Sequence, residues 1–431
     1  MTIMKANCIF TSLFVLLLGC ESLGRIPERV RYDGHQVIRV TPHTDEQVRA
    51  LRLLKDNVFV NKVDFWRPPT GVNRAVDIQI PPDYIKVLKG ALNALDFKPE
   101  VIIKDLQAKI EDELLYNLKQ NATDEFDYGK YHSLDEVEEW LKSLQETYPK
   151  LVTLIPLGKS FEGRMINAIK ISSEHSTGKL SFWMDGGIHA REWISPATVI
   201  YMTGQLLSQY GSDPDVTELV NVIDWYLLPV FNVDGYVYTW EKDRMWRKTR
   251  STHPGTSCVG VDPNRNWDWH WCEAGASRNP CSDSYCGPKA FSEVELQHVT
   301  NFLAAHNDTL KCYINFHSYS ELWMTPWGYT HTLPPDYQLQ NKVAAAAVEA
   351  LASINGVKYE HGSIANIIYP ASGSSADWTY GDLGIKLSYG VELRDKGRHG
   401  FILPTDQIIP SGKETFAAVK SIGKFIINNP V

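Results

Sequence analysis

The strongest constraint on the fold is an alternation that runs through most of the chain after residue 130. Apolar, strand-like runs occur at residues 152–157, 166–171, 180–184, 225–231, 312–316 and 387–393. Helix-like stretches are interleaved with them, at 134–147, 197–209, 292–306, 337–354 and 414–428. Strands this apolar are covered on both faces, and helices between them connect parallel neighbours. The pattern predicts an α/β domain over residues 121–431, with a mixed, mainly parallel sheet flanked by helices.

A smaller unit precedes it. Residues 36–40 alternate like a half-buried strand, and 44–55 carry helical apolar spacing at Val48, Leu51 and Leu54. Residues 58–66 and 75–80 read as strands, with Pro68, Pro69, Thr70 and Gly71 marking the turn between them. Pro82 opens a second helix that runs to about residue 95, and residues 101–103 close the unit as a strand. Strand–helix–strand–strand–helix–strand is the order of a ferredoxin-like α/β module, assigned to residues 23–105. Residues 106–120 then favour a charged helix, followed by a polar stretch. A basic residue at that junction, Lys119 before Gln120, offers a site for proteolytic cleavage.

The first 22 residues read as a secretory signal: Lys5 supplies the positive start, and the apolar core at 8–18 is too short to span a bilayer. Leu17-Leu18-Gly19-Cys20 also fits a lipoprotein signal, with Cys20 lipidated. No later stretch is apolar enough to insert in a membrane. A net charge of −8 with no basic run excludes a nucleic-acid role. Of the seven cysteines, Cys258, Cys272, Cys281 and Cys286 crowd into one loop. Behind a signal peptide these read as disulfides rather than a metal knuckle, with all three connectivities open. Cys312, in an apolar run, reads as a buried free thiol. Asn121 and Asn307 head glycosylation sequons.

Ligands bind beyond the carboxyl ends of the strands in open α/β sheets. Three candidate strands end in reactive side chains: one delivers His189 and Glu192, a second His317, a third Glu392. His-x-x-Glu alone is a weak signal, since His43/Glu46 and His270/Glu273 match it too. Only His189 follows a buried-strand pattern closed by two glycines. Two histidines and a carboxylate form the three-ligand set of a catalytic zinc that keeps one position for water, and a second carboxylate nearby suits a general base. A fourth run ends in Asn232-Val233-Asp234-Gly235 and is followed by arginines, which grip carboxylates bidentately. Lys248 and Arg250 in that region read as a solvated charge cluster. Arg394 beside Glu392 raises the competing reading of an ordinary ion pair.

Six ordered stretches carry a specific resemblance. They are 187–193 (GIHAREW), 232–236 (NVDGY), 246–250 (WRKTR), 261–267 (VDPNRNW), 315–320 (NFHSYS) and 391–395 (VELRD). In this order they resemble the pancreatic-type zinc metallocarboxypeptidases, and residues 25–105 resemble that family's activation propeptide. The family is itself a reference case for zinc held by two histidines and a glutamate, so the agreement with that ligand set is not independent. The resemblance implies one zinc ion on His189, Glu192 and His317, with Asp262 orienting a ligand histidine. It further implies Glu392 as general base and Arg247 as the group that holds the developing oxyanion. Asn264, Arg265 and Tyr369 would bind the substrate's terminal carboxylate, and Arg191 and Tyr319 neighbouring subsites. Bridges Cys258–Cys281 and Cys272–Cys286 are implied in the same way, the second being a feature of the B-type members.

The resemblance also places Ala376 at the pocket-base position that carries aspartate in Lys/Arg-selective members. Without a buried carboxylate a cationic side chain loses hydration unpaired, while an apolar one gains by burial. Gly390 adds room. The expected protein is therefore a secreted, monomeric zymogen, cut near Lys119 by an activating protease, that releases apolar or aromatic C-terminal residues. The alternatives are a B-type enzyme releasing Lys or Arg, another hydrolase on the same scaffold, and a secreted zinc-binding protein without turnover.

Overall fold

The computed structural model of the chain describes residues 29–56, 63–119, 126–174 and 180–429. The expected signal, Cys20, the Asn121 sequon, Gln120 at the expected cut and the start of the strand expected at 58–66 lie outside the described residues.

The N-terminal unit contains β1 (Gln36–Val40), α1 (Asp45–Asp56), β2 (Asp64–Arg67), β3 (Val76–Ile80), α2 (Ile85–Ala94), β4 (Glu100–Ile103) and the connecting helix α3 (Leu106–Lys119). The sheet order β2-β3-β1-β4, with every pairing antiparallel, is the ferredoxin-like arrangement. Ile38, Val40, Leu51, Val76, Ile78, Leu88 and Leu92 form its core.

The second domain runs through α4 (Leu134–Thr147), β5 (Val152–Lys159), β6 (Met165–Ile171), β7 (Leu180–Asp185), α5 (Ile194–Gln209), α6 (Pro214–Val222), β8 (Ile223–Leu228), α7 (Val233–Glu241) and α8 (Val294–Ala305). It continues with β9 (Leu310–Ser318), β10 (Leu322–Thr325), α9 (Tyr337–Asn355), β11 (Glu360–Ser363), α10 (Ile364–Ile367), α11 (Ser375–Gly381), β12 (Leu387–Leu393) and α12 (Ile408–Asn428). The eight strands are ordered β11-β10-β12-β9-β7-β8-β6-β5. The central β12, β9, β7 and β8 are mutually parallel, whereas β10 against β12, β6 against β8 and β5 against β6 are antiparallel. The carboxyl ends of four buried strands therefore meet along one edge. From β7 the chain crosses to β8 on one side, while β12 flanks β9 on the other, which leaves a crevice at the β7 and β9 ends.

Short elements escape the sequence pattern: α6, α7, α10, α11, β10 and β11 are not expected from it, because each is too brief for a period to emerge. The strand expected at 225–231 ends at Leu228, since Pro229 has no N–H for the ladder. Asn232 caps α7, its Oδ1 accepting from the Gly235 N–H at 3.0 Å, so this strand end is structural. Lys248 and Arg250 are not a solvated cluster. Lys248 is buried with its ammonium donating to the Pro280 carbonyl at 2.7 Å, and the Arg250 guanidinium lies 3.6 Å over the Tyr238 ring.

At the start of α8, Glu295 is buried with Oε2 unpartnered, while Oε1 accepts from the Phe161 N–H at 2.9 Å. Burial outweighs that bond and pushes its pKa up to about 7. Between about 4.5 and 7 the native state keeps a proton that the unfolded chain has lost, so stability falls as pH rises through this window. Glu295→Gln is expected to stabilise the protein at pH 8 relative to pH 5, by on the order of 3 kcal/mol. Melting temperatures of both forms at both pH values measure it; an equal difference at the two would refute it.

Candidate active site

The first glycine pair fixes the entrance to the site. Gly187 has φ +70°, and a Cβ there would lie 3.0 Å from Pro196 Cγ and 3.4 Å from Val230 Cα. Only glycine turns the chain off β7 this tightly, and the following residues bring His189 and Glu192 over the β9 end. The Ser195 hydroxyl locks the turn, accepting from the Gly187 N–H at 2.8 Å and donating to the Phe316 carbonyl at 2.6 Å.

His189, Glu192 and His317 converge. Among the described residues they are the group of histidine, cysteine and acidic side chains able to hold a metal, with ligand atoms all within 4.8 Å of one another. His189 Nδ1 and His317 Nδ1 are 3.1 Å apart, and they approach the two Glu192 oxygens at 2.8 and 3.2 Å. All three side chains are buried. Two nitrogens and a carboxylate turned inward on one point fit a zinc ion in donor type and number. His189 Nε2 faces the other way, 3.0 Å from Asp262 Oδ1. Burial opposes ionisation of Asp262, but Arg247, His189 and Arg265 hold its carboxyl well below the usual range. By contrast His270 pairs with Glu273 in a surface loop at 3.1 Å, and His43 contacts Asn73.

Glu392 lines the same cavity, is buried to solvent at Oε2 and has no partner there. Arg394 does not pair with it, being committed to Glu414 at 2.7 Å from Nε. Burial, reinforced by the Glu192 charge, pushes the Glu392 pKa up to about 8. Arg247 spans the ligand cluster, with Nη2 2.9 Å from Asp262 and Nη1 3.6 Å from Glu192. Asn264 receives the Ser375 N–H at 2.9 Å, and its Nδ2 is 3.2 Å from His317 Nε2. Arg265 is anchored by Nε on the Gly275 carbonyl at 3.1 Å, with Nη2 3.4 Å from the Tyr369 hydroxyl. Asn264, Arg265 and Tyr369 thus share one side of a cavity of about 400 Å³.

The apolar end of that cavity is made by Leu322, Met324, Ile364, Ala371 and Ala376. Asp377 turns away, both its oxygens receiving the Gly328 N–H at 2.8 and 2.9 Å. The cysteine loop contains both expected bridges, Cys258–Cys281 and Cys272–Cys286, and Cys312 is free and buried.

The N-terminal unit covers the remaining face. Asp64 receives Arg191 Nη1 at 2.6 Å, and the Arg191 guanidinium lies 4.2 Å over Phe401. Asp77, gripped by Arg39 through two 2.7 Å bonds, receives the Tyr319 hydroxyl at 2.8 Å. Trp66 packs on Phe401 at 5.0 Å between ring centroids. On α3, Glu113 meets Arg244 in a buried bidentate pair at 2.7 and 3.0 Å. Val37, Trp66, Ile103, Leu106 and Ile110 form one apolar cluster with Met245, Tyr319, Phe401 and Ile402. Arg191 and Tyr319, expected at substrate subsites, are therefore both occupied by the first unit. Asp64, Asp77, Trp66 and Glu113 were not singled out from the sequence, because nothing local distinguishes an acid that pairs across a domain boundary from a solvated one.

Comparison with known proteins agrees with this geometry. The zinc carboxypeptidase family model matches residues 137–418, and the carboxypeptidase activation peptide model matches 38–113. The chain is 41% identical over 417 residues to carboxypeptidase A2 of Rattus norvegicus, covering 96% of this chain and 99% of that protein. It is 41% identical over 431 residues to carboxypeptidase A1 of Mus musculus, covering 99% of this chain and 100% of that one. Among solved structures, thrombin activatable fibrinolysis inhibitor superposes with a TM-score of 0.85 at 37% identity, over 92% of this chain and 100% of that chain. With its ligand triad, its acid-lined cleft and an N-terminal activation unit seated over both, the chain belongs to the zinc carboxypeptidase family.

Proposed function

We propose that this chain is the secreted zymogen of a metallocarboxypeptidase that releases bulky apolar or aromatic residues from peptide C-termini. The observation that carries the reading is the convergence of His189, Glu192 and His317 on one point of a cavity, with the half-buried Glu392 beside it holding Oε2 buried and unpartnered. Those three residues would hold the zinc ion, with Asp262 fixing the His189 ring from behind. When bound, zinc supplies Lewis acidity toward water and a carbonyl. Glu392 accepts a proton from the attacking water and returns it to the leaving amine nitrogen. Arg247 faces the scissile carbonyl and stabilises the charge that develops on its oxygen.

Asn264, Arg265 and Tyr369 receive the free carboxylate, which confines cleavage to the last peptide bond. Arg191 and Tyr319 contact residues upstream once the N-terminal unit has left. Ala376 in an apolar wall, with Asp377 consumed by backbone amides, supports release of apolar rather than cationic residues. Cleavage near Lys119, at the end of the connecting helix, would separate the covering unit from the enzyme. The two disulfides support an oxidising, extracellular setting.

The test is to treat the secreted chain with trypsin and identify amino acids freed from peptides ending in Phe, Leu, Arg and Lys. Phe and Leu are expected to be released, and a zinc chelator is expected to abolish release, with recovery on adding zinc. Preferential release of Arg or Lys, or activity indifferent to the chelator, would overturn the reading.

A further inference from the structure

The Asn307-Asp308-Thr309 sequon has no part in the mechanism above, and the fold places it at the rim of the sheet opposite the cleft. It forms the turn between α8, which ends at Ala305, and β9, which starts at Leu310 and carries His317 near its other end. Along the extended strand Leu310 and His317 stand about 23 Å apart. The N-terminal unit meets Arg191, Tyr319 and Phe401, which follow the carboxyl ends of β7, β9 and β12 in the chain. The turn thus lies clear of both the cleft and its cover.

The two ends of the motif are in opposite states. Asn307 is half-buried, yet its amide is bonded to no other described residue and neither of its polar atoms is buried, so both face water. Its neighbours Ala304, Ala305 and Asp308 are exposed. A bulky polar group attached at Nδ2 would extend from this turn into solvent. Thr309, by contrast, is held. Its hydroxyl donates to the His306 carbonyl at 3.1 Å and lies 2.9 Å from Ser181 Oγ, while its carbonyl accepts from the Ser181 N–H at 2.8 Å. Ser181 belongs to β7, so the bonds to it form only when β7 and β9 pair.

We infer that Asn307 carries an N-linked oligosaccharide, attached before the central sheet closes. This rests on the secreted reading given above. The donor is an oligosaccharide carried on a polyprenyl pyrophosphate in the lumen of the secretory pathway. Asn307 Nδ2 attacks the anomeric carbon of the first sugar, and a C–N bond forms. The bond from that carbon to the pyrophosphate oxygen breaks, the amide nitrogen gives up one proton, and polyprenyl pyrophosphate leaves. The acceptor motif requires the hydroxyl of its third residue. In the folded sheet the Thr309 hydroxyl is already spent, so modification comes first and the pairing of β7 with β9 second. A glycan is bulky and soluble, and the open face of the turn accommodates it after folding.

The test exports the full chain from an animal cell line and maps the peptide containing residue 307 by mass spectrometry, before and after peptide N-glycosidase. A sugar mass on that peptide is expected, replaced by aspartate at 307 after treatment. Asn121→Gln removes the other sequon, and its product should still lose mass on treatment, whereas the Asn121→Gln/Asn307→Gln product should not. Once processed, the sugar-bearing and stripped enzymes are expected to share one kcat/KM. Folded chain made without the sugar, offered to solubilised microsomes and the lipid-linked donor, should stay unmodified; its modification would overturn the stated order. An exported chain with bare asparagine at 307 would overturn the inference and leave the secreted reading intact. A chain retained in the cytosol would overturn both.

Discussion

Glu392→Gln is expected to lower kcat by on the order of 10²–10⁴-fold while leaving bound zinc in place. The substitution keeps the shape of the side chain and removes only its capacity to take a proton. Glu392 is suited to that task by its surroundings. Arg394, two residues on, is committed to Glu414, so no neighbouring cation on β12 neutralises the acid. Its Oε2 is buried without a partner in the cavity that holds the metal-binding side chains, within reach of a water bound there. Zinc content by elemental analysis separates the two ways in which activity can be lost. A variant that holds zinc yet turns over at the wild-type rate would remove Glu392 from the mechanism.

The second large effect concerns latency. Glu113→Gln in the uncut chain is expected to raise the rate of cleavage of a short peptide by roughly thirtyfold or more. Glu113 and Arg244 are both almost wholly buried, and the pair bridges α3 and the second domain. Truncating one member of a hydrogen-bonded buried charge pair costs about 2 kcal/mol or more, chiefly because the remaining charge is stranded. That cost falls on the docked state. When α3 departs, Arg244 keeps the Arg191 and Phe401 carbonyls at 2.8 and 2.9 Å and the Trp193 ring at 3.7 Å. The processed enzyme, which lacks Glu113, should therefore behave identically from either precursor. Initial rates before and after trypsin measure both; an uncut variant no more active than the uncut wild type would show that the pair does not hold the unit in place.

Much of this arrangement was legible in the chain. Buried central strands announce themselves as continuous apolar runs, so the carboxyl ends carrying His189, His317 and Glu392 were located to within a residue or two. The ferredoxin-like order followed from periodicity in the same way. The edge strand β11 and its neighbour β10 have four residues each, β11 reading Glu-His-Gly-Ser, and are too short for a hydrophobic period to emerge. Roles set by distant partners were illegible for a different reason. Lys248 and Arg250 look like solvent-facing charges until a carbonyl and two aromatic rings are brought over them.

The two cysteine bridges have a consequence for how the enzyme fails. Asp262, Asn264 and Arg265 lie on irregular backbone between Cys258 and Cys272, with no helix or strand to stiffen them. Cross-links across this stretch limit the conformations open to it when its other contacts are lost. Loss of the bridges would thus slacken the stretch that carries Asp262, Asn264 and Arg265 while the buried sheet stayed assembled. The same slack would reach Asp262, whose carboxylate stands 3.0 Å behind the His189 ring, so a thiol-rich medium would loosen the cleft from its irregular side first.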